Sequence, residues 1–120
     1  MADQMTFEQF QKAAADEEIC CSEKCHVFKA LKILGGKWNL LVLYQLSKRD
    51  SFRFGELKRA IPDITNTMLT NTLRELEEFG IVSRKQFNEI PPHVEYSLTT
   101  KGKDLFPIFF ELAKWGMKYL

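Results

Sequence analysis

The chain has 120 residues, 45% of them hydrophobic and 28% charged, and a formal net charge of +1. This length allows one apolar core and excludes a large multi-domain enzyme. No segment approaches the ~18 consecutive apolar residues of a membrane span, and residues 1–10 lack a signal-peptide pattern, so we expect a cytoplasmic protein without a membrane partner.

The first predicted element is a short amphipathic helix over residues 5–16. Phe7 and Phe10 fall on one side of it at helical spacing. A helix this short, with so little apolar surface, is not stable alone. It therefore needs a partner surface, and we expect it to take part in contacts between subunits.

Two helices follow in close succession. Residues 26–34 carry apolar side chains at helical intervals, and the Gly35-Gly36 pair ends this helix. Residues 37–47 are apolar almost all round. This pattern is typical of a helix enclosed on most sides, so we expect it at the centre of the core.

A short strand and a short helix come next. Residues 52–54 follow a polar turn and favour a strand. Residues 55–61 have their apolar side chains on one side and favour a helix, which Pro62 stops.

The helix predicted over residues 66–79 has two different faces. Thr65 is placed to cap its start and Gly80 to end it. Its leucines gather on one side, as expected of a face that packs on a core. The opposite face is polar but hardly charged, and it holds Thr67, Thr70, Asn71 and Arg74.

A hairpin is predicted after this helix. Residues 81–88 and 93–99 favour strands, and the second strand alternates cleanly between apolar and polar side chains. The connection contains Pro91-Pro92, which stiffens the tip. The basic residues that flank this tip are Arg84, Lys85 and His93.

The last predicted helix, over residues 100–120, has more apolar residues than one face can use in a small domain. Pro107 should kink it or mark its effective start. The surplus predicts a subunit interface. Together with the N-terminal helix, the predicted contacts are Phe7, Phe10, Phe106, Phe109, Phe110, Trp115 and Tyr119.

The charges are distributed unevenly along the chain. Residues 1–23 hold one base and six acids, a net charge of −5, so residues 24–120 carry +6 of the total of +1. A net charge near zero argues against a nucleic-acid partner, but a basic body joined to an acidic arm permits one.

The order of the elements is that of a winged helix-turn-helix. We predict an α+β fold that is mostly α, with extra N- and C-terminal dimerisation helices. The helix over 66–79 is the candidate for the major groove, because short polar side chains and one arginine suit base edges. Taken singly, each charged residue is more commonly a solvated surface charge. The predicted DNA contacts are Arg53, Lys58, Thr65, Asn66, Thr67, Thr70, Asn71, Arg74, Arg84, Pro91, Pro92 and His93.

Several separate motifs also follow one another along the chain. They are Cys25-His26-Val27, Ile33-Leu34-Gly35-Gly36-Lys37-Trp38, Arg53-Phe54-Gly55-Glu56-Leu57, Ile61-Pro62-Asp63-Ile64-Thr65, Met68-Leu69-Thr70-Asn71-Thr72-Leu73-Arg74-Glu75-Leu76-Glu77, Val94-Glu95-Tyr96-Ser97-Leu98-Thr99, Gly102 and Trp115-Gly116.

In order and spacing, these motifs resemble the HxlR family of bacterial winged helix-turn-helix transcription regulators, relatives of the MarR group. The resemblance runs from Cys25 to Gly116. It implies a homodimer that binds an operator with paired half-sites. It also implies that residues 1–24 form a dimerisation arm, residues 25–99 the DNA-binding domain and residues 100–120 a C-terminal dimerisation helix.

The resemblance further implies thiol sensing, because in many family members the cysteine before the first helix of the motif responds to oxidants or electrophiles. Cys25 has this position, followed by His26 where the family usually has proline. A helix start favours the thiolate, and Cys20 or Cys21 could resolve an oxidised Cys25. Three inert thiols near a chain end remain the alternative.

Two other sensing chemistries stay open. A metal sensor would use cysteine and histidine ligands, but their spacing is not that of paired Cys-x2-Cys knuckles. These ligands would be Cys20, Cys21, Cys25 and either His26 or His93. A small hydrophobic ligand would be held among aromatic residues that more commonly form core. These residues are Trp38, Tyr44, Phe106 and Phe110.

Enzyme and adaptor functions fit the sequence less well. The chain has two histidines, no glycine-rich phosphate loop and no spaced carboxylate pair, so we expect neither an enzyme nor a cofactor. An adaptor would not explain a polar helix face beside a basic hairpin. The sequence therefore predicts a sequence-specific DNA-binding transcriptional regulator that senses oxidants or electrophiles through Cys25.

Overall fold

A computed structural model describes residues 6–15 and 25–120. Cys20 and Cys21 lie outside these residues. Among the described residues, no helix is long and apolar enough to cross a membrane. The elements are α1 (Phe7–Ala14), α2 (His26–Leu34), α3 (Asn39–Leu46), β1 (Phe52–Arg53), α4 (Phe54–Ala60), α5 (Asn66–Glu78), β2 (Val82–Phe87), β3 (His93–Leu98), α6 (Thr100–Lys103) and α7 (Phe106–Tyr119).

The chain divides into two compact units, with the boundary between Gly35 and Gly36. The first unit contains α1 and α2, and the second contains every other described element. This boundary differs from those that the sequence predicted at residues 24 and 99. The predicted division into three functional segments stays a prediction.

In the first unit, α1 begins with a reciprocal cap. The Gln9 backbone N–H donates to Thr6 Oγ1 at 3.1 Å, and the Thr6 N–H donates to Gln9 Oε1 at 3.0 Å. This pair satisfies two backbone donors that a helix start leaves without partners. The helix thus begins at Phe7, slightly later than predicted.

The bounds of α2 agree with the prediction. Cys25 is its N-cap residue in an extended conformation, and the Gly35 N–H donates to the Leu31 carbonyl at 2.7 Å where the helix ends. The cysteine before this helix therefore lies at the helix start, as the sequence indicated.

The second unit has its core between α3, α4, α5 and the sheet. Val42, Leu43 and Leu46 of α3 are buried, but Leu41 is 50% and Tyr44 45% exposed. The expectation that α3 is enclosed on most sides is therefore confirmed, with one side, which carries Leu41 and Tyr44, facing solvent. The core leucines of α4 and α5 are Leu57, Leu69, Leu73 and Leu76.

Three antiparallel strands form one sheet in the order β1-β3-β2. The predicted hairpin of β2 and β3 is present. The two-residue strand β1 pairs with the free edge of β3, with Phe52 opposite Tyr96 and Arg53 opposite Glu95. Nothing in the local pattern of β1 indicated its partner, since that pairing joins residues more than 40 positions apart.

The predicted C-terminal helix is divided in two. Thr99 caps α6 by accepting the Gly102 N–H at 3.2 Å, and α6 ends at Lys103. Pro107 is near the N-terminal end of α7, where a missing N–H costs nothing. It therefore marks the effective start of the long helix, one of the two outcomes predicted for it.

Candidate nucleic-acid interface

A tight turn connects α4 to α5 in the second unit. Ile61 and Ile64 are each 3% exposed, so the turn is anchored in the core at both ends. Between them Asp63 adopts a left-handed conformation with φ of 67°. Aspartate tolerates this region better than most residues, which lets the chain reverse direction without a glycine. The result is a helix-turn-helix.

The polar face of α5 is exposed, as predicted. Leu69 and Leu76 are fully buried on the opposite face. Because the leucines fix the rotation of the helix, the polar side chains must point to solvent. Met68, which is 41% exposed, is an apolar side chain of this helix that the sequence prediction did not include among the candidate contacts. The exposed polar residues are Asn66, Thr67, Thr70, Asn71 and Arg74.

The two ends of α5 differ in charge. Thr65 Oγ1 accepts the Met68 N–H at 3.1 Å, and the first turn contains no acidic residue. Three exposed glutamates lie near the other end, at Glu75, Glu77 and Glu78. The positive end of the helix dipole is thus open to an anion, whereas the glutamates would repel phosphates.

Basic residues lie at both ends of α4, Arg53 at its start and Lys58 and Arg59 in its last turn. Arg53 is its N-cap residue and is exposed, Lys58 is half-buried, and Arg59 is exposed. Glu56 accepts the Arg53 backbone N–H at 2.8 Å and the Arg49 Nη2 donor at 2.6 Å. These two bonds hold the pKa of Glu56 below its usual value.

The hairpin of β2 and β3, with its connection, forms the wing (residues 82–98). Arg84 lies opposite Tyr96 and Lys85 opposite Glu95, so these two basic neighbours project from opposite faces of the sheet. At the tip, Ile90 is 101% exposed. Pro91 and Pro92 are exposed as well, so the tip is accessible and apolar.

His93 is placed differently from the other predicted DNA contacts. Its side chain is only 14% exposed, its Nε2 lies 2.9 Å from Glu95 Oε2, and its ring stacks on Phe87 at 4.6 Å between centroids. We therefore assign His93 to the interior of the wing and leave it out of the proposed DNA contacts. Alternation places Glu95 on the same face as His93, but it does not show the stacking of His93 on Phe87 of the neighbouring strand.

Glu95 is the centre of a polar group that ties the wing to β1. Ser51 Oγ donates to Glu95 Oε1 at 2.7 Å. This bond, followed by the bond with His93, lowers the pKa of Glu95. Glu95 also faces Arg53 and Lys85 across its two neighbouring strands, so one carboxylate balances several basic residues.

α7 carries exposed aromatic side chains on two opposite sides, Phe106 with Phe110 on one and Trp115 with Tyr119 on the other, because residues nine positions apart in a helix point in nearly opposite directions. Phe106, Phe110, Trp115 and Tyr119 are each more than half exposed. Phe109, predicted with them, is instead 7% exposed and packs edge-on against Tyr44 at 5.5 Å between ring centroids. Phe109 thus belongs to the core of its own chain. In α1, Phe7 and Phe10 are exposed at 73% and 44%.

The four aromatic residues considered for a hydrophobic ligand do not line a common cavity. Phe106 lines an open cleft of about 390 Å³, which the other three do not line. Tyr44, Phe106 and Phe110 are between 45% and 58% exposed. As for a metal, residues 6–15 and 25–120 contain no cluster of three histidine, cysteine or acidic side chains able to hold one.

Comparison with known proteins matches residues 33–120 to the family described as HxlR-like helix-turn-helix. YkvN of Bacillus subtilis (strain 168), an uncharacterized HTH-type transcriptional regulator, is 54% identical over 88 residues, 73% of this chain and 74% of YkvN. The chain belongs to the HxlR-like helix-turn-helix family.

Solved structures of similar proteins confirm the winged fold of this HxlR-like chain. A MarR-family transcriptional regulator from Porphyromonas gingivalis W83 is 47% identical with a TM-score of 0.78, over 82% of this chain and 96% of that one. The redox regulator HypR in its oxidized form is 43% identical with a TM-score of 0.74, over 80% and 98% of the two chains.

Family membership makes this HxlR-like chain a helix-turn-helix transcriptional regulator. The similar proteins are named as regulators and not as enzymes, in agreement with the prediction from the sequence. The predicted contacts of individual residues with DNA, with a second subunit and with oxidants stay predictions.

Proposed function

We propose that the chain is a sequence-specific DNA-binding regulator that reads its operator with α5. The observation that carries this proposal is the exposed polar face of α5, opposite a face of buried leucines. Thr67, Thr70 and Asn71 offer short donors and acceptors, and Arg74 offers a bidentate donor of the kind that pairs with guanine. The lack of acidic residues in the first turn favours entry by the N-terminal end.

Basic residues outside α5 have a different role in this proposal. Arg53 and Lys58 at α4 would hold phosphates on one side of the reading helix, and Arg84 would hold them at the wing. Such contacts fix the register of the protein on the duplex and carry no sequence information. The accessible wing tip, Ile90 to Pro92, reaches toward the neighbouring groove.

We further propose that the regulator is a homodimer joined through α7, with help from α1. Exposing aromatic side chains along one helix to water is unfavourable in free energy. Packing against the same helix of a second copy would remove these side chains from water. Trp115 and Tyr119 contact each other with their ring planes tilted by 46° and their centroids 5.4 Å apart, and they form one of the two apolar sides of α7.

Substitution of Arg74 by Ala tests the reading face. The duplex is selected from a random pool by the wild-type protein, and affinity is measured on it and on random-sequence DNA. We expect a loss of about 1 to 3 kcal/mol on the selected duplex and little change on random DNA. An equal loss on both duplexes would show that Arg74 contacts only phosphate.

Thiol sensing by Cys25 is the regulatory part of the proposal. Cys25 is half-buried at the N-cap of α2, where the helix dipole favours a thiolate. The similarity to HypR, a protein named a redox regulator, supports the same chemistry. In this scheme a hydroperoxide oxidises the Cys25 thiolate to a sulfenic acid and is itself reduced, and a second thiol then attacks the sulfenic sulfur to form a disulfide with loss of water. Diamide forms the same disulfide directly and is reduced to its hydrazine.

Substitution of Cys25 by Ser tests the sensor. We expect the serine variant to bind the selected duplex as well as wild type does, and to keep that affinity in diamide, whereas diamide changes the affinity of the wild type. Ser at Cys20 and at Cys21, made separately, are the matched controls and identify the resolving thiol. A diamide response that survives in the Cys25 variant excludes Cys25 as the sensor.

A further inference from the structure

Three consecutive backbone carbonyls, from the C-cap residue Phe79 to Ile81, accept hydrogen bonds from Thr99 and Lys101 at the start of α6. The Phe79 carbonyl accepts Lys101 Nζ at 2.9 Å, and the Gly80 carbonyl accepts Thr99 Oγ1 at 2.7 Å. The Ile81 carbonyl accepts the Thr99 N–H at 3.0 Å. The C-cap carbonyl of Phe79 has no partner within the helix, so the bond from Lys101 satisfies it from 22 residues further along the chain. The bond between the Thr99 N–H and Ile81 continues the ladder of β2 and β3 by one pair.

Gly102 permits this close approach. A Cβ at this position would lie 2.5 Å from the Ile81 carbonyl oxygen and 3.1 Å from Leu98 Cδ2. Thr99 Oγ1 also accepts the Gly102 N–H at 3.2 Å, so one hydroxyl caps α6 and bonds the end of α5. The contact thus depends on a hydroxyl at position 99 and on the absence of a side chain at 102.

The backbone continues this connection into α7. The Leu105 N–H donates to the Gly102 carbonyl at 3.1 Å, and the Ile108 N–H donates to the Leu105 carbonyl at 2.9 Å. Within the second unit, consecutive backbone hydrogen bonds therefore run from Gly102 to the first turn of α7.

We propose that Thr99, Lys101 and Gly102 form a latch that sets the angle at which α5 meets DNA relative to α7. Thr99 and Lys101 are positioning residues, since their bonds are to the backbone of Phe79, the C-cap residue of α5, and of the turn that follows it, and not to DNA. This inference rests on the proposed function, in which α5 reads bases and α7 joins the subunits.

The length of α5 makes the position of its reading residues sensitive to this angle. At 1.5 Å per residue, a helix of 13 residues is about 20 Å long, so a tilt of about 10° at one end moves the other end by about 3 Å. A displacement of that size breaks a hydrogen bond to a base edge. The latch lies at the C-terminal end of α5, and the reading residues begin at the other end.

The test compares Thr99→Val, which removes the hydroxyl, with Thr99→Ser, which keeps it. Lys101→Met is compared with Lys103→Met, which removes the same charge from the same helix at an exposed position. Each variant is measured on the duplex selected by the wild type and on random-sequence duplex, well below its melting temperature. The readout is the ratio of the two affinities.

We expect Thr99→Val to lower the ratio at least about tenfold, and Thr99→Ser to keep it within about twofold of wild type. Lys101→Met should lower it less, and Lys103→Met should leave it unchanged. If Thr99→Val melts earlier but keeps the wild-type ratio, the residue is only structural and the latch is refuted. If Thr99→Val does not fold, Lys101→Met decides by the same ratio.

Arg74→Ala on the same two duplexes separates this inference from the proposed function. If Arg74→Ala lowers the ratio and the latch variants do not, the latch alone fails. If Arg74→Ala also leaves the ratio unchanged, the assignment of α5 as the reading helix fails.

Discussion

Glu95 shows how much of the wing depends on a single ionised side chain. It accepts a bond from Ser51, which precedes β1, lies 2.9 Å from the ring nitrogen of His93, and faces Arg53 and Lys85 on the strands at either side. One carboxylate therefore connects β3 to the residue that precedes β1. The sequence predicted His93 as a DNA contact because the pairing of β1 with β3, which brings Ser51 to this position, was not visible in it.

The lowered pKa of Glu95 predicts a pH dependence of stability. A carboxyl group with a folded-state pKa below its ordinary value of 4.5 stabilises the fold above that value, and this contribution is lost as the pH falls through the folded-state pKa. We expect the difference in unfolding free energy between wild type and Glu95→Gln to be constant at pH values well above 4.5 and to shrink as the pH falls below 4.5. Urea titrations measure it.

Ser51→Ala is the matched variant, because Ser51 is the main cause of the lowered pKa. It should lose stability at neutral pH and move the acid-induced loss to higher pH. Parallel pH curves for wild type and Glu95→Gln would contradict this account.

Elements whose ends and buried face are marked by nearby residues were predicted well from the sequence. The bounds of α2 agreed, and α5 was predicted within one residue, because Thr65 and Gly80 mark its ends and the leucines mark its buried face. Distant contacts were not predictable in this way. The pairing of β1, the burial of Phe109 against Tyr44 and the bonds of Thr99 to the end of α5 all join residues far apart in the sequence.

The exposed aromatic residues of α7 predict that an acidic substitution among them weakens the dimer. Phe110→Asp would bury an unpaired carboxylate between subunits, a cost of several kcal/mol, so we expect the dimer dissociation constant to rise at least about 100-fold. Sedimentation equilibrium measures it. Ile90→Asp, at the fully exposed wing tip, also introduces an aspartate in place of an apolar residue, but away from α7, and should leave the dimer intact. A Phe110→Asp variant that stays dimeric would place the interface elsewhere.

For the whole molecule, the net charge of +1 is less informative than its distribution. Residues 24–120 carry +6, and this part includes the reading face and the wing. Affinity for random DNA should therefore fall steeply with salt, since basic side chains release counterions from phosphates.

A symmetric dimer also predicts the form of the operator. Two copies related by a two-fold axis present two identical reading helices, so the selected duplexes should contain inverted repeats with half-site centres about 10 base pairs apart, or a multiple of that. Sequencing of the selected pool determines this spacing. Direct repeats, or a single unrepeated motif, would contradict the symmetric arrangement.

The strand register gives the wing a property that its composition alone does not. Arg84 and Lys85 are neighbours in sequence, but the pleat of β2 directs one to each face of the hairpin. A groove has two walls, each lined by the phosphates of one strand, and the minor groove is only about 6 Å wide. A hairpin that enters edge-on with one cation on each side can thus contact both strands at once, which would centre the apolar tip between the two walls.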